Sequence, residues 1–492
     1  NPRPYDDTGW TMQYMRDVKL TPIHDKTILD KPMAMIMADA RAPGGVEGTG
    51  AILVVEHTSD NNLISFRFRN KDVPMLAAED DFELNGRKLR AGAFIIPNAD
   101  RPRLEPMLRE LGLSAWAVTS MPAVKTHEMK VPRIGYVHSW SRTQDEGWVR
   151  AALDFYKVPY TYFADQKLKE GHLRDRYDVI IFPHTGGTTQ SMIAGIPMTG
   201  SRPIPYKKSD LTPNLGFMDS TDDIRGGMGF QGLQELGKFV EAGGTLISEG
   251  STAALMADFA LASGVTVEHP ANLFARGTIL RGTIADLKSP IAYGYEAKDL
   301  PVYFNQDPVL NVAAAGAGGF GGFGGGRGGR GGGAAEGQNV TPNAEPIHVA
   351  PLEPGGPVGN TGTSAETAGN GGRGGRGGGG GRGGRGAGGG GGFGGLGAAP
   401  TERPRVVVEF GSNANDLLLS GTLAGGEALT NRAAVVDVDL GKGHIVMFAL
   451  RPFWRWQTQG TFCLAFNAIL NWDHLDAGKA APATAPGTAP AQ

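Results

Sequence analysis

Alternation of short apolar runs with amphipathic stretches between residues 133 and 263 is the feature that most constrains the fold of this chain. The predicted elements in this part are strand Arg133–His138, helix Asp145–Val158, strand Asp178–Pro183, helix Gly229–Ala242, strand Gly244–Ser248 and helix Thr252–Ser263. Nearly continuous apolar strands that alternate with helices indicate a mostly parallel sheet covered on both faces. The sequence therefore predicts an α/β domain over this part of the chain.

A glycine-rich stretch from about Val312 to Pro400 interrupts this pattern. It contains Arg-Gly units at Arg327, Arg330, Arg373, Arg376, Arg382 and Arg385, and a second glycine follows in all but the last. Such a composition cannot bury enough apolar surface to fold, so we predict a disordered insertion over residues 313–400. An RNA-binding tract is the alternative, because arginine contacts phosphates and stacks on bases.

Strand patterns resume after the insertion, which predicts that it interrupts one domain instead of separating two. The predicted elements are strands Arg405–Phe410, Val435–Leu440 and His444–Leu450 and helix Thr461–Trp472. Long surface loops add little closure entropy, so such an insertion is tolerated. We place this discontinuous domain at residues 132–312 and 401–476, followed by a disordered tail at 477–492.

Residues 1–131 are predicted to form a smaller α/β module. Short apolar runs at Met33–Met37, Ala51–Val55 and Ala93–Ile96 indicate strands, and Arg101–Leu111 indicates a helix. The dipeptide Asn85-Gly86 is a strong signal for a two-residue hairpin turn. We expect no functional site in this module.

Charge and composition narrow the classes of partner. The chain has 47 Lys plus Arg against 50 Asp plus Glu, so it has no global field that would attract nucleic acid or an anionic membrane. It has no apolar run of about 18 residues or more, which predicts no membrane-spanning helix. The single cysteine, Cys463, excludes an internal disulfide and is expected to be a buried thiol in the last helix.

Polar residues at the ends of three predicted strands are the candidate ligand-binding residues. His138 ends the first strand, His184 follows the second and Glu249 follows the third. Ligands of open parallel sheets bind beyond the carboxyl ends of the strands, so these side chains could bind a metal or act in acid–base chemistry. The alternative is structural: helix capping by Glu249 and hydrogen bonds from both imidazoles to loop backbone.

The loop His184–Thr189 adds Gly186 and Gly187 to the candidate site. Its backbone N–H groups could cradle an anion, but it lacks the Lys-Ser/Thr pair of a nucleotide-binding loop. Ser251 stands near the position of a nucleophile elbow without the required flanking glycines, and capping of the next helix explains it more simply.

No complete catalytic set and no zinc-peptidase motif is found. None of the ten histidines belongs to a His-Glu-x-x-His motif or has Glu three positions on. Asp219, Asp222 and Asp223 suggest calcium, but their spacing departs from an EF-hand loop and Arg225 can neutralise one carboxylate. We expect a structured loop there, with no metal ligands.

Several short motifs together resemble a known family. They are the opening Asn1-Pro2-Arg3-Pro4-Tyr5-Asp6-Asp7-Thr8-Gly9-Trp10-Thr11, then Asp145-Glu146-Gly147-Trp148, Gly226-Gly227-Met228-Gly229, Gly441-Lys442-Gly443-His444, Arg451-Pro452 and Phe466-Asn467-Ala468. They resemble the carboxy-terminal region of long bacterial zinc carboxypeptidases of the carboxypeptidase A-like family. That region contains a domain similar to class I glutamine amidotransferases, so the resemblance implies a flavodoxin-like fold.

The resemblance implies a non-catalytic accessory or binding region whose partner is an upstream peptidase domain of the same polypeptide. The zinc would belong to that domain, with none in this chain, and the parent would be secreted or periplasmic and act on peptide or cell-wall substrates. The cysteine expected at the amidotransferase elbow is absent. The alternative is a stand-alone hydrolase or metal-binding domain that uses His138, His184 and Glu249.

Overall fold

The computed structural model describes residues 11–38, 40, 42–142, 144–296, 299–312 and 403–479. The predicted insertion at 313–400, with its Arg-Gly units, lies outside the described residues, as do residues 480–492 of the predicted tail. The fold is α/β, with a small module followed by a larger domain. No helix among the described residues has the length and apolar character needed to cross a bilayer.

The small module contains a six-stranded sheet, three helices and a separate hairpin. Its helices are α1 (Met12–Arg16), α2 (Asn62–Arg69) and α3 (Arg101–Leu111). Its strands are β1 (Gly45–Gly48), β2 (Ile52–Val55), β3 (Leu76–Ala78), β4 (Phe82–Leu84), β5 (Arg87–Leu89), β6 (Phe94–Ile96), β7 (Ser114–Val118) and β8 (Thr126–Glu128). The sheet order is β1-β7-β2-β6-β3-β8, and β4 pairs with β5.

Two local predictions for this module have different outcomes. Asn85 and Gly86 both have positive φ and join β4 to β5, so the predicted hairpin turn is confirmed. The predicted strand at Met33–Met37 is wrong. This segment has no strand partner, and Met35 and Met37 are more than four-fifths exposed. An apolar run becomes a strand only where a neighbouring strand pairs with it.

The larger domain begins with alternating strands and helices. Its elements are β9 (Ile134–His138), α4 (Gln144–Phe155), β10 (Thr161–Ala164), α5 (Leu173–Arg176), β11 (Val179–Phe182), α6 (Thr189–Ala194), α7 (Gly229–Glu241), β12 (Thr245–Glu249) and α8 (Ser251–Asp258). It continues with β13 (Val265–Glu268), β14 (Thr278–Ile284), β15 (Asp299–Phe304), β16 (Val309–Val312), β17 (Arg405–Phe410), β18 (Leu418–Ser420), β19 (Ala433–Leu440), β20 (Gly443–Phe448) and α9 (Gln459–Leu470).

Five parallel strands give this domain its flavodoxin-like order. They lie in the order β10-β9-β11-β12-β20, which is 2-1-3-4-5 along the chain. Beyond β20 the sheet continues through the antiparallel strands β19, β17, β14 and β15, so the whole sheet is mixed. Strands β16 and β17, on either side of residues 313–402, both pair with β19.

Helix α9 joins the two modules. One apolar core runs from the small sheet through α9 to the large sheet. Two polar contacts cross the same boundary: His57 Nε2 lies 3.0 Å from Oδ1 of Asn467, and His127 Nε2 lies 2.9 Å from Oδ1 of Asn471. Because all four side chains are buried, these pairs fix the orientation of α9 as well as its depth.

The carboxyl end of the chain is ordered further than predicted. Residues 477–479, assigned to the disordered tail, are held in place: Arg405 donates to the carbonyl of Ala477, and Lys479 forms ion pairs with Asp439 and Asp476. A segment with few apolar residues is fixed here by charge and hydrogen bonding, which apolar patterning does not reveal.

Candidate functional site

The carboxyl edge of the five parallel strands carries the candidate site. The chain order reverses between β9 and β11, which makes this edge a topological switch point, where ligands of open α/β sheets bind. His184 lies two residues after β11, Glu249 is the last residue of β12 and Arg451 lies three residues after β20. The parallel register of these strands brings the three residues to the same edge.

The turn between β12 and α8 has the geometry of a strand-to-helix elbow, with glycine at its apex. Gly250 has φ 57° and ψ −122°, a region that side chains rarely adopt. A Cβ built there would lie 2.3 Å from Nδ1 of His184. In enzymes with a nucleophile elbow this turn presents the nucleophile. Here the place of a nucleophile is filled by the imidazole of His184.

The hydroxyl group of Ser251 is hydrogen-bonded to the loop that follows β11. Its hydroxyl oxygen accepts hydrogen bonds from the backbone N–H groups of Thr185 and Gly186, at 3.2 and 2.9 Å. Nδ1 of His184 accepts a hydrogen bond from the backbone N–H of Ser251, at 3.0 Å. Ser251 therefore holds the loop after β11 against the start of α8.

In the loop His184–Thr189, the backbone groups that were predicted to bind an anion are largely engaged within the protein. Gly186 and Gly187 have φ values of 68° and 81°, as a tight glycine turn requires. The N–H of Gly186 is directed at Ser251, and a Cβ at Gly187 would lie 2.6 Å from the Ser191 hydroxyl. These glycines shape the turn that places His184.

Glu249 is a buried carboxyl group with an unsatisfied oxygen. Its residue is 5% exposed, and Oε1 has no hydrogen-bond partner among the described residues. Burial, helped by the charge of Asp145, raises the pKa of Glu249 to about 8, against the opposing charge of Arg451 and a hydrogen bond from the backbone N–H of His184. Glu249 is therefore mostly protonated at neutral pH and can donate a hydrogen bond.

Asp145 and Arg451 complete the polar side of a small cleft around Glu249. Nη1 of Arg451 lies 3.3 Å from Oδ2 of Asp145, and Nη2 lies 3.0 Å from Nε2 of His184. Nε2 of His184 is 3.7 Å from the same carboxylate oxygen of Asp145. The cleft encloses about 180 Å³ of open space, and its apolar walls are Trp148, Val149, Phe453 and Trp454.

His138 belongs to a separate polar pair. Its Nε2 lies 2.9 Å from Oδ2 of Asp219, and its ring stacks on Tyr162 with 4.2 Å between centroids. Lys167 and the backbone N–H of Ala164 also donate to Asp219. Burial alone would raise the pKa of Asp219, but hydrogen bonds from His138 and Lys167 outweigh it and lower the pKa to about 2.

The structure thus brings together two of the three strand-end residues. His184 and Glu249 line the cleft, whereas His138 lies outside its lining. A metal shared by all three would require His138 to leave Asp219. Among the described residues, the group of side chains close enough to hold a metal is Asp437, Asp439 and His444, at the opposite end of the sheet.

The structure also describes the acidic loop at residues 219–223 and the single cysteine. Asp222 and Asp223 each pair with a neighbouring base, Lys207 and Arg225, so with Asp219 they form a structured loop and do not converge on one ion. Cys463 lies buried within α9, and burial raises the pKa of its thiol, which keeps it protonated and unreactive.

Two site residues were missed by inspection of strand ends. Asp145 lies in the first turn of α4, and Arg451 follows β20, far along the chain from β11 and β12. Both occur in short motifs that carry the family resemblance, Asp145-Glu146-Gly147-Trp148 and Arg451-Pro452. Those motifs were the signal that could have identified them.

Comparisons with known proteins show similarity in three dimensions only. No family model and no curated protein matches the sequence. A cytoplasmic protein of Salmonella typhimurium LT2 aligns over 69% of this chain and 99% of its own, at 11% identity and a TM-score of 0.30. A ThuA-like protein of Bacteroides uniformis aligns over 69% and 90%, at 8% identity and a TM-score of 0.30.

A β-galactosidase of Bacillus circulans sp. alkalophilus is also similar, at 9% identity and a TM-score of 0.29. The alignment covers 70% of this chain and 31% of the galactosidase. Overall agreement this low gives no information about function, so the function has to be inferred from the cleft itself.

Proposed function

We propose that this chain is a non-catalytic binding region whose cleft at the switch point takes a small ligand carrying a carboxylate group. The observation that carries the proposal is the elbow: Gly250 offers no nucleophile, and the imidazole of His184 fills the space that one would need. A polar cleft remains beside it. Such a site can recognise a ligand without forming a covalent intermediate with it.

The polar groups of the cleft favour a carboxylate. Arg451 supplies a buried guanidinium that matches a carboxylate in geometry, and its bonds to Asp145 are long, at 3.3 and 3.5 Å. Protonated Glu249 adds an O–H donor close by. Of the open space of about 180 Å³ in the cleft, only about 10 Å³ can hold the centre of a water-sized molecule, which is room for roughly one water, so the cleft can admit one small group such as a single carboxylate.

The family resemblance suggests where such a ligand would come from. A zinc carboxypeptidase acts at the free carboxylate end of a peptide, and an accessory region that binds chain ends would orient substrate or hold product for it. In this proposal the parent protein is secreted or periplasmic, and its zinc lies in the peptidase domain, the partner of this region. The aromatic walls of the cleft, Trp148 and Trp454, would contact the apolar part of the ligand.

The experiment compares ligands that differ only in the carboxylate. We would titrate the purified chain with a panel of free amino acids and dipeptides, and with the carboxamide of each, by isothermal titration calorimetry at pH 7. At least one carboxylate ligand should bind tenfold or more tightly than its amide. Arg451→Met should abolish this preference, whereas Arg281→Met, which removes a cation exposed on β14, should leave it unchanged.

The pH dependence of ligand binding provides a second measurement. The affinity for a carboxylate should fall as the pH rises through about 8, because ionised Glu249 loses its donor hydrogen and repels the ligand. Equal binding of carboxylates and amides would contradict the proposed ligand class. Carboxypeptidase turnover by this chain would contradict its non-catalytic role, and stoichiometric metal that depends on His138 and His184 would support the metal-site alternative.

A further inference from the structure

A cluster of charged side chains lies at the amino end of β20, away from the cleft. His444 and Asp439 face each other across the β19–β20 hairpin, and Asp437 lies two residues before Asp439 on the same face. Nδ1 of His444 lies 2.9 Å from Oδ1 of Asp437 and 3.2 Å from Oδ1 of Asp439. One ligand atom from each of the three side chains lies within 4.8 Å of the others.

Asp437 provides an independent sign of a missing partner. Its side chain is fully buried, and its second carboxylate oxygen, Oδ2, has no hydrogen-bond partner among the described residues. A buried carboxylate oxygen without a partner costs free energy, so such atoms are rare in folded proteins. Oδ2 points toward the ammonium group of Lys479 but lies 4.0 Å from it.

Lys479 is the cation that the cluster now holds. Its Nζ lies 2.7 and 2.8 Å from the two oxygens of Asp439 and 2.6 Å from Oδ1 of Asp476. Lys479 and Asp476 follow α9, so this contact attaches the carboxyl-terminal segment to the hairpin. A single ammonium reaches two of the three carboxylates at bonding distance and leaves Asp437 underbonded.

We propose that Asp437, Asp439 and His444 form a site for a divalent metal ion of the zinc type, which Lys479 occupies when metal is absent. One imidazole nitrogen and several carboxylate oxygens are a ligand set that zinc accepts at about 2.0–2.2 Å. A metal ion could also bind Oδ2 of Asp437, which the ammonium group does not reach at bonding distance. The hairpin fixes the ligand positions in advance, which favours binding.

Metal binding at this site displaces Lys479 and loosens residues 476–479, while Leu475 stays buried in the core. The displaced ammonium loses Asp439, while Asp476 either joins the metal as a fourth ligand or moves away with the segment. The site would therefore couple metal concentration to the position of the carboxyl-terminal segment. This inference is independent of the ligand proposed for the cleft.

The test is a titration of the full chain with Zn²⁺ by calorimetry at pH 8, where binding has to release the proton of His444. Lys479→Met removes the competing cation and should bind Zn²⁺ at least tenfold more tightly than the wild type. Lys442→Met, at the exposed turn of the same hairpin, is the matched control and should behave like the wild type. Asp439→Asn, at a partly exposed position that tolerates substitution, should lose the binding.

Hydrogen–deuterium exchange supplies the second measurement. Zn²⁺ should speed exchange in residues 476–479 of the wild type and leave the protection of α9 unchanged. The proposal is overturned if Lys479→Met binds Zn²⁺ no more tightly than Lys442→Met, or if Asp439→Asn binds it as tightly as the wild type. Unchanged exchange in residues 476–479 at saturating Zn²⁺ would overturn the displacement of Lys479.

Discussion

Two buried clusters lie at opposite ends of the neighbouring strands β12 and β20, and they differ in how the charge of their titratable group is compensated. At the carboxyl end, Glu249 lies beside one cation, Arg451, which Asp145 shares. At the amino end, His444 lies among the carboxylates Asp437 and Asp439. Both clusters combine imidazole with carboxyl groups in the interior, but only the second has enough partners of opposite charge to keep its titratable group ionised.

The pKa directions express this difference. Burial raises the pKa of Glu249 to about 8, so its carboxyl group stays protonated and neutral at pH 7. Burial by itself would lower the pKa of His444, but the negative charge of Asp437, to which Nδ1 donates, outweighs burial and raises the pKa to about 10. A buried group is thus neutralised by a proton or by a partner, depending on which its neighbours supply.

Removal of the imidazole at the amino end is expected to have the largest effect. His444→Asn removes the cation that is hydrogen-bonded to the fully buried carboxylate of Asp437 and leaves only Lys479, 4.0 Å away, and breaking a buried pair typically costs about 3–5 kcal/mol. We expect a loss of that size in the free energy of unfolding, measured by urea denaturation at pH 7 with a chelator.

The matched control is another histidine–aspartate pair on the surface. His172→Asn breaks an exposed contact with Asp175, at 3.3 Å, and should change the free energy of unfolding by less than about 0.5 kcal/mol. A similar loss in both variants would show that the buried pair contributes no more to the free energy of unfolding than the exposed pair does.

The elbow at the carboxyl end should be nearly as sensitive, for steric reasons. Gly250→Ala places a Cβ 2.3 Å from Nδ1 of His184 and forces a non-glycine residue into an unfavourable backbone region. Backbone strain of this kind costs about 1–3 kcal/mol, and overpacking adds a similar amount. We expect a total loss of about 3 kcal/mol, measured by thermal or urea denaturation.

Gly147→Ala is the matched control. Gly147 lies within α4 with no atom near the position of its Cβ, so alanine should stabilise the protein by up to about 1 kcal/mol. If Gly250→Ala is tolerated as well as Gly147→Ala, then the space at the elbow is open and the absence of a nucleophile has no steric cause.

The sequence predicted the parallel half of the fold better than its antiparallel half. Strands β9, β11 and β12 are largely apolar and fully buried, so their pattern identifies them. Met33–Met37 has a similar composition and forms no strand. The difference is the presence of pairing partners, which come from distant parts of the chain and leave no trace in a local pattern.

The candidate site was predictable in part for the same reason. His184 and Glu249 follow recognisable strands, so a rule about strand ends finds them. Asp145 enters the cleft from a helix and Arg451 from a loop, and only packing shows that they meet. The pairing of His138 with Asp219 depends on the long connection between α6 and α7, whose path no periodicity predicts.

Replacement of the protonated carboxyl group of Glu249 should have the smallest effect on the free energy of unfolding. In contrast to His444→Asn and Gly250→Ala, it should stabilise the protein. Glu249 keeps its proton up to about pH 8 when folded but ionises near pH 4.5 when unfolded, so the wild type loses stability as the pH rises from about 4.5 to about 8. At about 1.4 kcal/mol per pH unit the loss by pH 7 is at most about 3.5 kcal/mol. Glu249→Gln removes this penalty and, allowing for the burial of its amide, should stabilise the protein by about 2 kcal/mol at pH 7.

The dependence of this gain on pH separates it from a general improvement in packing. Between Glu249→Gln and the wild type, the difference in unfolding free energy should slightly favour the wild type below about pH 4.5, because of the buried amide. It should then shift toward the variant up to about pH 8 and stay constant above it. Glu83→Gln, at an exposed position in β4, should show no such profile. A gain that is the same at pH 4 and pH 8 would mean that Glu249 is ionised in the folded protein. The carboxyl end would then hold its charge with a partner, as the amino end does, and the contrast between the two clusters would disappear.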